Sequence, residues 1–264
     1  MLALERVSYR YPGAPRPALR DFTLTLNDGE VVGVVGASES GKSTLALVCS
    51  GLAPRSIGGS LTGRLLVDGD DMQGRPMHEM AAHIGICFQN PTSQLSQVAD
   101  TVFEEVAFGP LNLGLDRLEV ARRTTSALEK LGIGSLAERD PERLSGGQMQ
   151  LVAVAGLLAM DPRHLVLDEP TAQLDPAGKR LVADSLASLA RSGTALLIAE
   201  HDTDLLAGLC SRVVVLDTGA IAYEGLTPEV LADERLTEFG IEPPSDVALR
   251  REVESAGLHL DLPA

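Results

Sequence analysis

A lysine that closes a glycine-rich turn is suited to neutralising a polyphosphate whose oxygens are already held by backbone N–H groups. Gly36-Ala37-Ser38-Glu39-Ser40-Gly41-Lys42-Ser43 has that composition. It follows the apolar stretch Val31 to Val35 and opens the apolar helix Thr44 to Val48. Strand, turn and helix therefore come in the order that G-x-x-x-x-G-K-[ST] requires, with turn amides and a helix N-terminus facing the phosphates. A chance Gly/Ser-rich turn with a solvated lysine would need neither flanking element. The run predicts binding of ATP or GTP.

Two further segments carry candidate chemistry. His164-Leu165-Val166-Leu167-Asp168-Glu169 is an apolar strand ending in two acids. A carboxylate at that end, beside a phosphate-binding turn, can hold Mg²⁺, so Asp168 is the candidate ligand. Glu169, aimed differently, is placed to take a proton from a water attacking the γ-phosphate. Any Asp-Glu pair can be a surface turn with two solvated acids, but the phosphate-binding turn in the same chain favours the catalytic reading. Leu144-Ser145-Gly146-Gly147-Gln148 precedes a helix over Met149 to Ala159. A serine and two glycines at a helix start supply free N–H groups and a hydroxyl; taken alone they are an ordinary N-cap.

The elements that must position these residues alternate. Residues 2 to 8 and 19 to 26 read as antiparallel strands around Tyr11-Pro12-Gly13-Ala14-Pro15, and Leu65 to Asp70 adds a strand with a turn. Short buried strands follow, at Val31–Val35, Ile84–Phe88, His164–Leu167, Ala195–Ala199 and Val213–Leu216, interleaved with helices. That alternation implies an α/β fold with a parallel sheet covered on both faces. Between about Pro91 and Gly147 strands disappear, and Leu118 to Leu131 has helical spacing, which predicts a helical insertion in the core. From Leu226 onward Pro228, Pro243 and Pro244 and a helical stretch near Val247 to Ala256 suggest an appendage.

Composition narrows the partners. The 264 residues carry a net charge of −15, 22 basic against 37 acidic, which repels a nucleic-acid backbone. Cys49, Cys87 and Cys210 lie 38 and 123 residues apart and read as buried small hydrophobes in a reducing compartment. The longest apolar run, Leu151 to Met160, is ten residues, and Glu5 and Arg6 stand where a signal peptide would continue apolar. A soluble, cytoplasmic chain is expected, unless a partner holds it at a membrane.

These residues together resemble the ATP-binding-cassette ATPases. The phosphate-binding turn, Gln89 in Phe88-Gln89-Asn90-Pro91, Leu144 to Gln148, Leu165 to Pro170, Leu174-Asp175 and His201-Asp202 come in that family's order, and the resemblance spans residues 1 to about 225. It implies a RecA-like core with a mostly parallel sheet, an N-terminal antiparallel β subdomain, a helical signature subdomain inserted at about 91–150, and a C-terminal extension over 226–264. By the same resemblance Gly36 to Thr44 would cradle the phosphates, Tyr11 would stack on adenine, and Lys42 would contact the β- and γ-phosphates. Ser43, Gln89 and Asp168 would surround Mg²⁺, Glu169 would be the base, and His201 would hold the γ-phosphate. Ser145, Gly147 and Gln148 would reach the ATP of a second subunit, itself or a paralogue, with Asp175 linking the two sites. A tyrosine in a turn is more often plain packing, and a lone histidine more often a satisfied polar residue.

Within the family, Phe88 to Leu95, Phe103 to Leu115 and the tail Phe239-Gly240-Ile241-Glu242-Pro243-Pro244 are similar to the ATPases of energy-coupling-factor importers, which take up vitamins and cobalt or nickel ions. This implies ATP hydrolysis at the cytoplasmic face of the membrane and an integral membrane partner docked near Gln89 to Leu115. The competing expectations are a soluble ATPase of assembly or repair and a non-hydrolysing nucleotide sensor. Three residues depart from the pattern: Glu39 where glycine is usual, Leu151 where arginine is common, and Glu200 where threonine is frequent.

Overall fold

Short apolar runs become strands here because both of their faces meet a core. The computed structural model describes residues 1–256, so residues 257–264 at the end of the expected extension lie outside the described residues. The chain opens with β1 (Leu2–Arg10), β2 (Leu19–Leu26) and β3 (Val31–Val35), followed by α1 (Lys42–Cys49) and the short α2 (Leu52–Arg55). Then come β4 (Ser60–Val67), β5 (Asp70–Asp71), α3 (Met77–His83) and β6 (Ile84–Cys87). Three helices follow with no strand between them: α4 (Val102–Asn112), α5 (Arg117–Lys130) and α6 (Gly146–Ala159). Alternation resumes with β7 (His164–Asp168), α7 (Pro176–Arg191), β8 (Ala195–Ala199), α8 (Thr203–Leu209), β9 (Arg212–Asp217) and β10 (Ala220–Leu226), and the described residues close with α9 (Thr227–Leu231) and α10 (Ser245–Ser255).

Two sheets result. The antiparallel one runs β2-β1-β4-β5, and the six-stranded one runs β10-β9-β3-β8-β7-β6. In the larger sheet β6, β7, β8, β3 and β9 are parallel, and β10 pairs antiparallel at the edge. Side chains of a strand alternate between faces, and β3 does so between two cores. Val31 and Val35 enter the core shared with the helical insertion, whereas Val32 and Val34 enter the core under the antiparallel sheet. Leu165 and Leu167 of β7 join the first core and Val166 the second. This is the α/β cassette expected from the sequence, and the three cysteines are free and buried.

The insertion starts cleanly because its caps are encoded. Thr101 and Glu104 form a capping box on α4, and Asp116 caps α5 by accepting from Leu118 and Glu119. The chain after Leu226 divides in two. Val230, Leu231, Leu236 and Ile241 are buried in the first core, while α10 buries none of its residues. The Thr203 hydroxyl donates to the Glu242 carbonyl at 2.9 Å, and Ser245 is held by both oxygens of Asp204.

Candidate functional site

Strand register places the candidate residues. Val34 of β3 pairs with Ala199 of β8, which pairs with Asp168 of β7, so one row crosses three parallel strands. The next residues are Val35 and Gly36, Glu200 and His201, and Glu169. All leave the carboxyl ends of parallel strands, where open α/β sheets bind ligands.

The glycine-rich turn from Gly36 to Lys42 is shaped by exclusion of side chains. A Cβ at Gly36 would collide with the Leu216 carbonyl and the Ser40 side chain, and Gly41 caps α1 at φ +113° without any side-chain cap. The first amides of α1 are thus left without a side-chain acceptor. Lys42 is 5% exposed, and its Nζ donates to the carbonyls of Gly36 (2.8 Å) and Ala37 (3.1 Å). Two of its three hydrogens are used. Burial lowers its pKa, opposed by Glu169, Asp168 and Glu200. Tyr11, Ala18, Ser38, Glu39, Gly41 to Thr44, Glu169 and His201 line a cleft of about 400 Å³. Tyr11 stands there edge-on to Tyr9, with its hydroxyl 3.1 Å from that of Thr44.

Glu39 is exposed and has φ +65°, in the left-handed region where a side chain is strained. Leu151 is fully buried, so the apolar residue at this departure from the family pattern suits its surroundings.

The two acids differ in setting. Asp168 is 6% exposed, its Oδ1 accepts from Ser43 Oγ at 3.2 Å, and burial pushes its carboxyl pKa up. A hydroxyl and a carboxylate side by side are hard oxygen donors of the kind Mg²⁺ selects, so Ser43 and Asp168 fit that ion. Glu169 also has a left-handed backbone, φ +50°, and its carboxylate is gripped from two sides. His201 Nε2 lies 3.0 Å from Oε1, and Gln89 Nε2 donates to Oε2 at 3.0 Å. Lys42, Ser43, Gln89, Asp168, Glu169 and His201 are thereby brought to one place from separate segments of the chain. Among the described residues no cluster of three or more His, Cys, Asp or Glu could hold a metal by itself.

Ser145, Gly147 and Gln148 lie elsewhere, at the start of α6. Ser145 is exposed; its Oγ accepts from Gln148 N at 3.3 Å while Gln148 Oε1 accepts from Ser145 N at 3.1 Å. Gly147 is buried, and a Cβ there would stand 2.8 Å from Cα of Gly178, so close packing of α6 on α7 requires the glycine. Asp175 caps α7 by accepting from Gly178 N at 2.6 Å. None of these touches the cleft at Lys42.

Two residues, Ala18 and Thr171, escape sequence reasoning, and Glu200 is noticed there only as a departure from the family pattern. Ala18 contributes a carbonyl that packs against Gly41 and Gly219, which no side-chain pattern announces. Thr171 and Glu200 hydrogen-bond behind Glu169; the available signal is an acid directly after the apolar strand Ala195–Ala199.

The loop after β6 ties this cleft to the insertion. Gln94 accepts from Phe88 N (2.7 Å) and donates to Ile86 O (2.9 Å), and Gln150 of α6 donates to Cys87 Sγ at 3.0 Å. Glu105 of α4 accepts from both the amide and the hydroxyl of Ser96. Phe108, Leu111 and Leu113, at the end of α4 and just beyond it, are exposed, beside a groove of about 140 Å³.

Comparison with known proteins agrees with this fold. The family model described as ABC transporter matches residues 19–172. An energy-coupling factor transporter ATP-binding protein of Symbiobacterium thermophilum is 41% identical over 97% of this chain and 89% of its own length. The cobalt import ATP-binding protein CbiO of Rhodobacter capsulatus is 40% identical over 95% and 89%. Among solved structures, cbiO1 of Clostridium perfringens, part of the ABC transporter complex cbiONQ, superposes with a TM-score of 0.80 at 32% identity, covering 97% of this chain and 98% of that one. A dimeric ATP-binding cassette in a post-hydrolysis state with ADP and Pi gives 0.72 at 26% identity over 86% and 99%. With its phosphate-binding turn, paired acids and signature helix in one fold, this chain belongs to the ABC transporter family, as an ATP-hydrolysing cassette.

Proposed function

We propose that this chain is the ATP-hydrolysing subunit of an energy-coupling-factor type importer for a vitamin or a transition-metal ion. It pairs with a second cassette, itself or a paralogue, and sits peripherally on the cytoplasmic face of the membrane against an integral membrane subunit. One observation carries the reading: Glu169 is bonded to Gln89, and the loop that bears Gln89 is bonded through Ser96 to α4, beside the exposed Phe108, Leu111 and Leu113. An exposed apolar patch linked to a catalytic residue is what a docked, ATP-driven partner requires. Among the described residues no helix is long and apolar enough to cross a membrane.

In hydrolysis, the open amides of α1 and the remaining hydrogen of Lys42 bind the β- and γ-phosphates, and Tyr11 stacks on the adenine. Ser43 and Asp168, with Gln89, would hold Mg²⁺, which would supply positive charge against the phosphate oxygens. Glu169 accepts the proton of the attacking water as the bond to the γ-phosphorus breaks, leaving ADP and phosphate. Gln89 and His201 fix the Glu169 carboxylate, and His201 also meets the γ-phosphate. Ser145, Gly147 and Gln148 act on the nucleotide of the partner cassette, and Asp175 connects the two sites. Residues 1–225 form the ATPase domain and 226–264 a C-terminal extension.

Purification from detergent-solubilised membranes of the host tests this. A stoichiometric integral membrane protein accompanying the chain supports the importer. Recovery of an active ATPase without one refutes it.

A further inference from the structure

Glu200 is a carboxylate directly after the apolar strand β8, and it is only 3% exposed. Its amide donates to Val34 O at 3.1 Å, just before the phosphate-binding turn. Its Oε1 accepts from the Thr171 hydroxyl at 2.7 Å, and Thr171 is itself 1% exposed. Thr171 belongs to the turn that follows Glu169, closed by Ala172 N donating to Glu169 O at 3.1 Å. The next residue, His201, meets Glu169 Oε1. Glu200 therefore joins three parts: the end of β3, the turn after the base, and the strand end that bears the imidazole.

Its second oxygen, Oε2, is buried and has no hydrogen-bond partner among the described residues. A buried carboxylate oxygen without a donor favours the protonated form. The charged groups around it are mixed. Glu169 after β7 and Asp202 before α8 repel its charge, Lys179 of α7 attracts it, and Lys42 of α1 faces it as well. Burial, the largest influence, pushes the pKa up to about 7.

We propose that Glu200 is a positioning residue for hydrolysis: through its bond to Thr171 it holds the turn after Glu169 against the strand end carrying His201, so that base and imidazole stay in register. This rests on Glu169 being the base. Ionisation adds a negative charge beside Glu169 and Asp202, which loosens the turn and draws on the charge of Lys42. Turnover by the wild type then declines as pH rises through the range in which Glu200 loses its proton.

The test is kcat and KM for ATP of the full chain between pH 6 and 9, with Glu169→Gln run alongside. Glu200→Gln keeps an acceptor for Thr171 without a charge, Glu200→Ala removes the acceptor, and Thr171→Val removes the donor. Glu200→Ala is expected to lower kcat about 10- to 100-fold, the scale of a small misplacement of reacting groups, with little change in KM. Glu200→Gln should match wild type at pH 6.5 and lack its decline above pH 7. Thr171→Val should lose kcat as Glu200→Ala does, and it carries the test if the alanine variant does not fold. Wild-type kcat in Glu200→Ala or Thr171→Val overturns the proposal, as does a glutamine variant that is as slow as the alanine variant or declines with pH as wild type does. Full turnover by Glu169→Gln would instead sink the base assignment; its loss beside a wild-type Glu200→Ala sinks only the role of Glu200.

Discussion

Two helices of this chain begin on glycine and serine, and they treat their N-termini in opposite ways. At α1 the cap is Gly41, which has no side chain to accept from the orphan amides, and the turn before it wraps the buried Lys42. At α6 the cap is Ser145, whose capping box with Gln148 uses two donors within the chain. An uncapped start leaves donors and dipole for an anion brought by the solvent, which suits the phosphate site proposed at α1. The capped start of α6 keeps the amides of half-buried Gly146 and buried Gly147 and the hydroxyl hydrogen of exposed Ser145. That is a partial set, which suits a ligand already held elsewhere. The same local chemistry thus suits a primary site in one place and, in the proposed pairing of two cassettes, a complementary surface in the other.

The comparison breaks first at the base. Glu169→Gln should bind ATP and lose about 10² to 10⁴ in kcat, read by phosphate release, with a closed dimer accumulating on size-exclusion chromatography. Near wild-type turnover would show that the α1 cleft hydrolyses ATP without this carboxylate. Ser145→Arg then separates the two ends: turnover should vanish while ATP affinity of the monomer, measured with a fluorescent analogue, stays unchanged. Equal losses of both would mean that α6 serves its own cleft.

The floor of the α1 cleft offers a stability measurement. The folded-state pKa of Glu200 is raised from 4.5 to about 7, so its neutral form stabilises the fold fully below pH 4.5, and that contribution is lost as pH rises through about 7. From pH 5 to 8 the wild type should lose up to about 3 kcal/mol relative to Glu200→Gln in urea unfolding. Parallel pH curves for the two proteins would show that Glu200 titrates normally. The smallest effect belongs to Glu39→Gly. Removing a left-handed glutamate relieves about 1 kcal/mol of strain, and removing its charge from the cleft rim should tighten nucleotide binding a few-fold, most at low salt. Unchanged affinity at both salt concentrations would leave Glu39 pointing harmlessly outward.

Sequence reading reaches the elements whose cause is local. Val31–Val35 and Ala195–Ala199 are apolar at every position because both faces of the sheet are covered, and the bounds agree with β3 and β8. The phosphate-binding turn is legible because its glycines and lysine are adjacent in the chain. What escapes depends on distant pairing. Thr171 and Glu200 are 29 residues apart, and nothing near either one announces the bond. Gly147 reads as part of an anion site, yet its contact with Gly178 is a packing requirement set by a helix well downstream in the chain. The stretch after Leu226 reads as an appendage because its prolines and charges mask Leu236 and Ile241, which the first core buries.

The alternation of β3 and β7 between two cores bears on how the molecule melts. A strand that feeds both cores cannot leave one without exposing the other, so the helical insertion and the antiparallel sheet are coupled through shared backbone. Unfolding should then be all-or-none across the cassette, with probes placed in either half reporting coincident transitions. Nucleotide bound at the edge of that shared sheet would stabilise both halves together, by about 2.7 kcal/mol at a hundredfold excess over its dissociation constant.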